Sequence, residues 1–197
     1  MNPQAEPVLE LFRSTGAYLQ GHFRLTSGLH SPEYLQCALV LAHPEYAERL
    51  GRLLADQLRA LVGGKIDLVV SPALGGVIIG HEVARALGTR FLFTERDAAT
   101  KQMALRRGFT VTPGETAVVV EDVVTTGGST RDVIDTLRAA GVEVAAAGSI
   151  IDRSGGTADV GTPRVALATL TATVHNPDDC PLCRAGIPVV KPGSRPA

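Results

Sequence analysis

Short apolar runs alternating with helical patterns constrain this chain more than any other feature. Between residues 66 and 152 the chain reads "IDLVVS", "GGVIIGHEVARALG", "RFLFTE", then "TAVVVED", "STRDVIDTLRAAG" and "VEVAAAGSIID". Four of these are short, continuous and rich in branched residues; the other two carry helical spacing. A strand that is apolar on both faces has to be covered on both faces. The pattern therefore predicts an α/β fold, a mostly parallel central sheet flanked by helices. "RVALATLTATV", residues 164–174, is expected to add an edge strand.

Upstream, "AEPVLELFRSTGAYLQ" sets Val8, Leu11 and Phe12 on one helical face and meets Gly16 as a stop signal. "GHFRLTSGLHSPEYLQC" mixes turn formers with short β-like pieces. A stronger helix, "PEYAERLGRLLADQLRALVGG", has Pro44 in its first turn, Leu50, Leu54, Leu58 and Leu61 at helical spacing, and Gly63-Gly64 at its end. The chain is expected to be one domain over 1–197, with an N-terminal helix and hood (1–42), an α/β core (43–172) and a C-terminal tail (173–197). That tail, "HNPDDCPLCRAGIPVVKPGSRPA", has many prolines and is expected to lie along the surface without regular structure.

One segment breaks the rhythm. "ERDAATKQMALRRGFTVTPGE", residues 95–115, carries Arg96, Lys101, Arg106 and Arg107 with no sustained apolar period. A long connection of this kind is usually functional or flexible, so a mobile basic loop, with room for a short hairpin, is expected here.

The 197 residues are enough to bury a core, and 45 % hydrophobic with 20 % charged residues is ordinary globular composition. With 19 basic and 20 acidic side chains the net charge is −1, which argues against bulk nucleic-acid binding. "MNPQAEPVLELF" shows no secretory signal pattern, and no apolar run is long enough to span a bilayer. No membrane association and a cytoplasmic location are the expectation. Three cysteines cannot form a disulfide framework. Cys180 and Cys183 form a CxxC with His175 upstream, but a zinc site wants four ligands, there is no second CxxC, and Cys37 is far away in the chain. No metal or redox role is therefore expected of them. His22, His30, His43 and His81 are scattered and read as structural or surface residues; His30 stands out only for lying in the hood, next to Ser31.

The chemistry concentrates in "VVVEDVVTTGGST", residues 118–130. Val118 to Val120 are expected to end a strand, and a helix to start at Thr130. The loop between them would emerge at the carboxyl end of a parallel strand, where open α/β sheets bind ligands. Gly127 and Gly128 let the backbone approach closely, and amides converging on a helix N-terminus favour a phosphate. Thr125, Thr126, Ser129 and Thr130 can add hydroxyl donors. No GxxxxGK[ST] is present, and "LGGVIIG" lacks the spacing of a dinucleotide turn. Glu121 and Asp122 suit a neutral polyol or a metal. A ribose with free 2′ and 3′ hydroxyls satisfies both requirements, its hydroxyls on the acids and its 5′-phosphate in the loop. An ordinary strand-turn-helix with a capping Ser or Thr would leave the acid pair unexplained.

Two acids, two apolar residues and then Thr-Thr-Gly-Gly-Ser-Thr resemble the signature of the type I phosphoribosyltransferases, which bind phosphoribosyl pyrophosphate. Together with "FRLTSGLHSPEYLQC", "ERDAATKQMALRRGF" and "SIIDRSGG", it makes the chain similar to the orotate phosphoribosyltransferases from about residue 8 to the tail. The resemblance implies the type I fold and transfer of a phosphoribosyl group from phosphoribosyl pyrophosphate to orotate, with Mg2+, in pyrimidine synthesis. It also implies a homodimer in which the basic loop closes over the neighbouring subunit's site.

By the same resemblance, phosphoribosyl pyrophosphate would be held by Arg96, Lys101, Arg107, Glu121 and Asp122 with Val123, Val124, Thr125, Thr126, Gly127, Gly128 and Ser129. Orotate would be held by Thr125, Arg153, Ser27 and Tyr34. Arg153 can offer a carboxylate a fork of two N–H donors. Arg96, Lys101 and Asp122 are the catalytic candidates: the cations for charge developing on the pyrophosphate, the acid as a general base or relay. No protein side chain is assigned as a direct Mg2+ ligand; the ion would arrive with the substrate, near Asp122. The chain departs from many family members at Thr26 and at Leu74-Gly75, where they carry a lysine and a Tyr-Lys pair, and in a loop without histidine. A purine phosphoribosyltransferase and a phosphoribosyl-pyrophosphate-sensing regulator of the same fold are the alternatives. The first lacks a use for Arg153, and the second lacks a helix-turn-helix segment or basic excess.

Overall fold

Two strand–helix–strand units diverge from the middle of a six-stranded sheet, and that divergence positions everything else. A computed structural model describes residues 5–25 and 27–192. Its large sheet contains β3 (Leu68–Pro72), β4 (Arg90–Arg96), β5 (Met103–Leu105), β6 (Thr116–Val124), β7 (Glu143–Asp152) and β8 (Arg164–Thr169). The spatial order is β5-β4-β3-β6-β7-β8. All neighbours pair in parallel except β4 and β5, which form an antiparallel hairpin. From β3 the chain crosses outward through α4 (Gly76–Leu87) to β4; from β6 it crosses the other way through α5 (Gly128–Ala139) to β7. The crevice between the carboxyl ends of β3 and β6 is the switch point where such sheets bind ligands.

Alternation along the central strands explains the continuous apolar runs. Val69, Val118 and Val120 face a core built with α1 (Ala5–Ser14), α3 (Pro44–Val62) and α4. Leu68, Val70, Ala117 and Val119 face the opposite way, onto Val133, Ile134 and Leu137 of α5. Leu50, Leu54 and Leu58 of α3 are completely buried, whereas Leu61, in the last turn, is exposed. The helix closes at Gly63, whose left-handed φ of 63° lets its amide bond back to the Arg59 carbonyl.

Three expectations are corrected here. The strand before the acid pair does not stop at Val120. It continues to Val124 because β7 keeps pairing with it, Glu121 opposite Ser149 and Val124 opposite Asp152. The helix after the loop starts at Gly128, earlier than Thr130. The tail is not without regular structure: a 3-10 turn at Pro177–Asp179 and α6 (Pro181–Arg184) fold there, and Cys180 is buried.

The N-terminal hood is a separate two-stranded hairpin of β1 (Tyr18–Arg24) and β2 (His30–Leu35), followed by the short α2 (Cys37–Leu41). No helix among the described residues is long and apolar enough to cross a membrane.

Candidate active site

Residues at the carboxyl end of β6 divide two cavities. The larger, about 420 Å³, is lined by Ser27 and Tyr34 of the hood, Asp122 and Val123 of β6, Thr125 and Thr126 of the loop, and Arg153 after β7. The smaller, about 250 Å³, is lined by Ala73 to Gly76, Arg96, Glu121, Asp122 and Ser129. Asp122 borders both. All four residues assigned to orotate (Ser27, Tyr34, Thr125 and Arg153) meet in the larger cavity. Thr26 lies outside the described residues.

The phosphate loop has the form an anion needs. Gly127 is the N-cap of α5 with a φ of 79°, and no side chain caps the helix. The amides of its first turn are left for a ligand. The Thr130 hydroxyl in that turn donates to the Glu121 carboxylate. A simple capped turn is thereby ruled out. Val124 is turned inward, buried in the core, and its carbonyl accepts the Arg153 amide at 2.8 Å. That bond ties the Arg153 loop to the phosphate strand.

Burial raises both acids. The Glu121 carboxyl is pushed up to about 7 mainly by desolvation, against the Thr130 hydrogen bond and with help from the Asp122 charge. Asp122 is also raised by burial, which the backbone amides of Asp122 and Val123 partly offset. An ideal Cβ on Gly75 would lie 2.7 and 2.8 Å from the two Asp122 carboxylate oxygens, so only glycine permits this approach. The pair offers carboxylate oxygens to hydroxyls, or to the water shell of a Mg2+ held by phosphates, which binds through few carboxylates. The donor set fits that ion.

Arg153 is a half-buried cation whose guanidinium has no hydrogen bond or ion pair among the described residues. Burial lowers its pKa, with the nearby Tyr34 and Glu33 acting in the opposite direction. Its loop is fixed from below by Asp152, which is 1 % exposed. The Asp152 carboxylate accepts from the Ser154 amide (2.8 Å) and hydroxyl (2.6 Å), the Gly156 amide (3.0 Å) and Arg164 (2.8 Å). Burial would raise Asp152; the hydrogen bonds from Ser154 and Arg164 win and hold it below its usual value. Sequence reasoning named Arg153 and missed Asp152. The signal available was an acid ending a strand directly before Arg-Ser-Gly-Gly.

The basic loop is only partly at the site. Arg96 borders the smaller cavity but donates to Asp132 of α5 at 2.8 Å and to the Lys101 carbonyl at 2.5 Å. Lys101 lines a third cavity with Asp132 and Asp135 rather than the one with the acid pair. Arg107 forms a fork on Glu95, with both contacts at 2.8 Å, and Arg106 lies 3.8 Å from Asp97. In this conformation Arg96, Arg106 and Arg107 are paired with acids of their own hairpin and α5. Lys101 and Arg107 are not brought to the acid pair.

Comparison with known proteins assigns the class. The model of the phosphoribosyl transferase domain matches residues 38–182, and the chain belongs to that family. An orotate phosphoribosyltransferase of Pelotomaculum thermopropionicum is 53 % identical over 190 residues, covering 96 % of this chain and 97 % of the relative. One of Thermotoga petrophila is 52 % identical over 188 residues, covering 95 % and 98 %. The crystal structure of orotate phosphoribosyltransferase from Aeropyrum pernix is 27 % identical with a TM-score of 0.68, covering 83 % of this chain and 93 % of its own. Within the family, this chain's place is among the orotate phosphoribosyltransferases.

Proposed function

We propose that the chain transfers the 5-phosphoribosyl group of phosphoribosyl pyrophosphate to orotate, giving orotidine 5′-monophosphate and pyrophosphate for pyrimidine synthesis. The observation that carries this reading is the unpartnered Arg153 guanidinium in a cavity that shares Asp122 with the phosphate side. A half-buried guanidinium with no ion pair in contact is costly, and a planar carboxylate answers it with two parallel hydrogen bonds. Orotate supplies that carboxylate. Adenine and hypoxanthine do not.

In the reaction the bond from ribose C1 to pyrophosphate breaks and a bond from C1 to a ring nitrogen of orotate forms, with loss of the nitrogen's proton. Positive charge develops on the ribose and negative charge on the leaving group. Glu121 and Asp122 accept the ribose hydroxyls and lie on the side that becomes positive. The amides of residues 127–129 hold the 5′-phosphate, so positioning and charge placement, without a protein nucleophile, lower the barrier. Mg2+ arriving with the substrate would lie near Asp122 and would supply charge neutralisation at the pyrophosphate. Arg96 is positioned to act there once released from Asp132. In this reading the enzyme is a cytoplasmic homodimer, and Lys101 and Arg107 act on the same group in the site of the second subunit.

The test is consumption of orotate with phosphoribosyl pyrophosphate and Mg2+, beside adenine and hypoxanthine controls. Loss of orotate with stoichiometric pyrophosphate supports the reading; consumption of a purine instead overturns the role of Arg153. Binding of phosphoribosyl pyrophosphate without turnover points to a regulator. Mixing inactive Lys101→Ala and Arg153→Ala proteins restores part of the activity only if loops are shared between subunits.

A further inference from the structure

Four potential metal ligands that lie far apart in sequence converge beneath the hood. The ligand atoms of His22, His30, Cys180 and Cys183 all lie within 4.8 Å of one another. This reverses the sequence-based expectation, in which the CxxC lacked further ligands and the histidines were scattered. The missing pair comes from the hairpin. A register irregularity between Gln20 and Phe23 in β1 turns two consecutive side chains, His22 and Phe23, to the buried side. Bulges re-aim side chains in this way. His30 enters from the start of β2, and Cys180 and Cys183 from the N-terminal end and last turn of α6.

The distances match one tetrahedral ion. With Zn–N near 2.0–2.1 Å and Zn–S near 2.3 Å, ligand atoms should stand roughly 3.3 to 3.8 Å apart. Cys180 Sγ lies 3.5 Å from His22 Nε2, Cys183 Sγ 3.7 Å from the same nitrogen, and Cys183 Sγ 3.4 Å from His30 Nδ1. Of these four contacts, only the one between the histidine nitrogens, 2.8 Å apart, must lengthen, by about half an ångström, to admit an ion; the remaining pairs lie within 4.8 Å.

The protons point the same way. His22 Nδ1 lies 2.7 Å from the Ile187 carbonyl, which can only accept, so the ring's proton sits on Nδ1 and Nε2 presents a lone pair. The second nitrogen of a metal-binding histidine is typically held by such a carbonyl. Three would-be donors (His30 Nδ1 and the two thiols) then crowd one acceptor nitrogen. A cation resolves that crowding, and hydrogen bonds alone do not. Cys180 is fully buried and His22 and His30 nearly so. Two thiolates would balance a divalent charge, so the loaded site is neutral.

We infer that His22, His30, Cys180 and Cys183 bind one structural Zn2+ that fastens the C-terminal tail to the hood. Binding releases the two thiol protons and fills all four positions with protein, leaving none for substrate. The need for a fastener is visible in the architecture. A two-stranded hairpin is marginal alone, and this one is joined by the tail on either side. His30 and His175 exchange backbone hydrogen bonds of 2.9 and 2.8 Å, and Val190 bonds to Arg24 and His22 at 2.8 Å each. The hairpin's turn carries Leu25, Ser27 and Leu29, and the tail carries Val174, all of which line the larger cavity. The ion thus holds the ceiling of that cavity.

The experiment is metal analysis of the full-length protein, purified under reducing conditions without added chelator. One zinc per chain is expected, falling to near zero in Cys183→Ser and in His22→Gln. In the stripped and reduced wild-type protein, one equivalent of Co2+ should give the absorption bands of a tetrahedral cobalt–thiolate site, so the proposal stays testable if a variant fails to fold. Absence of both zinc and the cobalt spectrum overturns it, as does a Cys180–Cys183 disulfide in the purified protein. Both readouts are independent of catalysis, so failure of the orotate reading would leave them unchanged. If the ceiling role holds, stripping the metal raises the KM for orotate several-fold and leaves that for phosphoribosyl pyrophosphate unchanged.

Discussion

The two sides of the active site are built by different means. The phosphate and ribose side rests on β3 and β6, central strands buried on both faces. The base side rests on a two-stranded hairpin, a tail of short pieces and one buried arginine. On the first side precision comes from the sheet. On the second it comes from fasteners: the Asp152 network below and the His/Cys cluster above. Substitutions should separate the two, and the largest effects belong to groups that have no substitute.

Arg153→Ala is expected to have the greatest kinetic effect. It deletes the only lysine or arginine on the base cavity among the described residues, so kcat/KM for orotate should fall by about 10²–10³, corresponding to the several kcal/mol of a desolvated charge-assisted pair. KM for phosphoribosyl pyrophosphate should stay within about two-fold, and steady-state kinetics with each substrate varied will show the split. An equal loss on both substrates would break the two-sided comparison. Asp152→Ala tests the fastener under the same arginine. Removing a buried carboxylate that holds Arg164 should cost about 3 kcal/mol in denaturant unfolding, and the surviving activity should be weak toward orotate specifically.

Gly75→Ala probes the other side. The new methyl would overlap the Asp122 carboxylate unless one of them moves. A loss of about ten-fold or more in kcat/KM for phosphoribosyl pyrophosphate is expected, with about 1–3 kcal/mol of strain. Unchanged kinetics would mean that Asp122 is not positioned by that contact.

How much of this was readable in advance follows from the range of the interactions. The strand–helix rhythm, the glycine loop and the acid pair are local patterns; the rhythm and the loop's place between β6 and α5 followed the sequence, whereas the acid pair lies within β6 instead of in the loop. Arg153 was readable through resemblance. Strand β6 runs past its expected end because β7 pairs with it, and a single-strand pattern carries no record of its neighbour. The grouping of His22 with Cys180 spans most of the chain and depends on an irregular register in β1. Nothing in the spacing of those residues announces it. The cations of the basic loop were named individually, yet their partners, Glu95 for Arg107 and Asp132 for Arg96, are acids that no motif flagged.

The smallest of the expected effects is a pH dependence confined to the core side. Glu121 in the folded protein has a pKa of about 7, above its ordinary 4.5. The folded state therefore holds that proton more tightly than the unfolded chain does. The stability this contributes is complete below about 4.5 and is lost as pH rises through about 7; Asp122, also raised, acts in the same direction. Thermal unfolding of the ligand-free protein should show a decline of about 1–3 kcal/mol from this source between pH 5 and 8. Glu121→Gln should flatten that slope and be the more stable protein at pH 8, while losing affinity for the ribose. Phosphoribosyl pyrophosphate should also flatten it, since ribose hydroxyls donate to the ionised carboxylate and restore what burial removed. Orotate alone should leave the Glu121 part of the slope as it is, because the larger cavity is bordered by Asp122 and not by Glu121. If orotate flattened it equally, Glu121 as well as Asp122 would belong to both sides of the site.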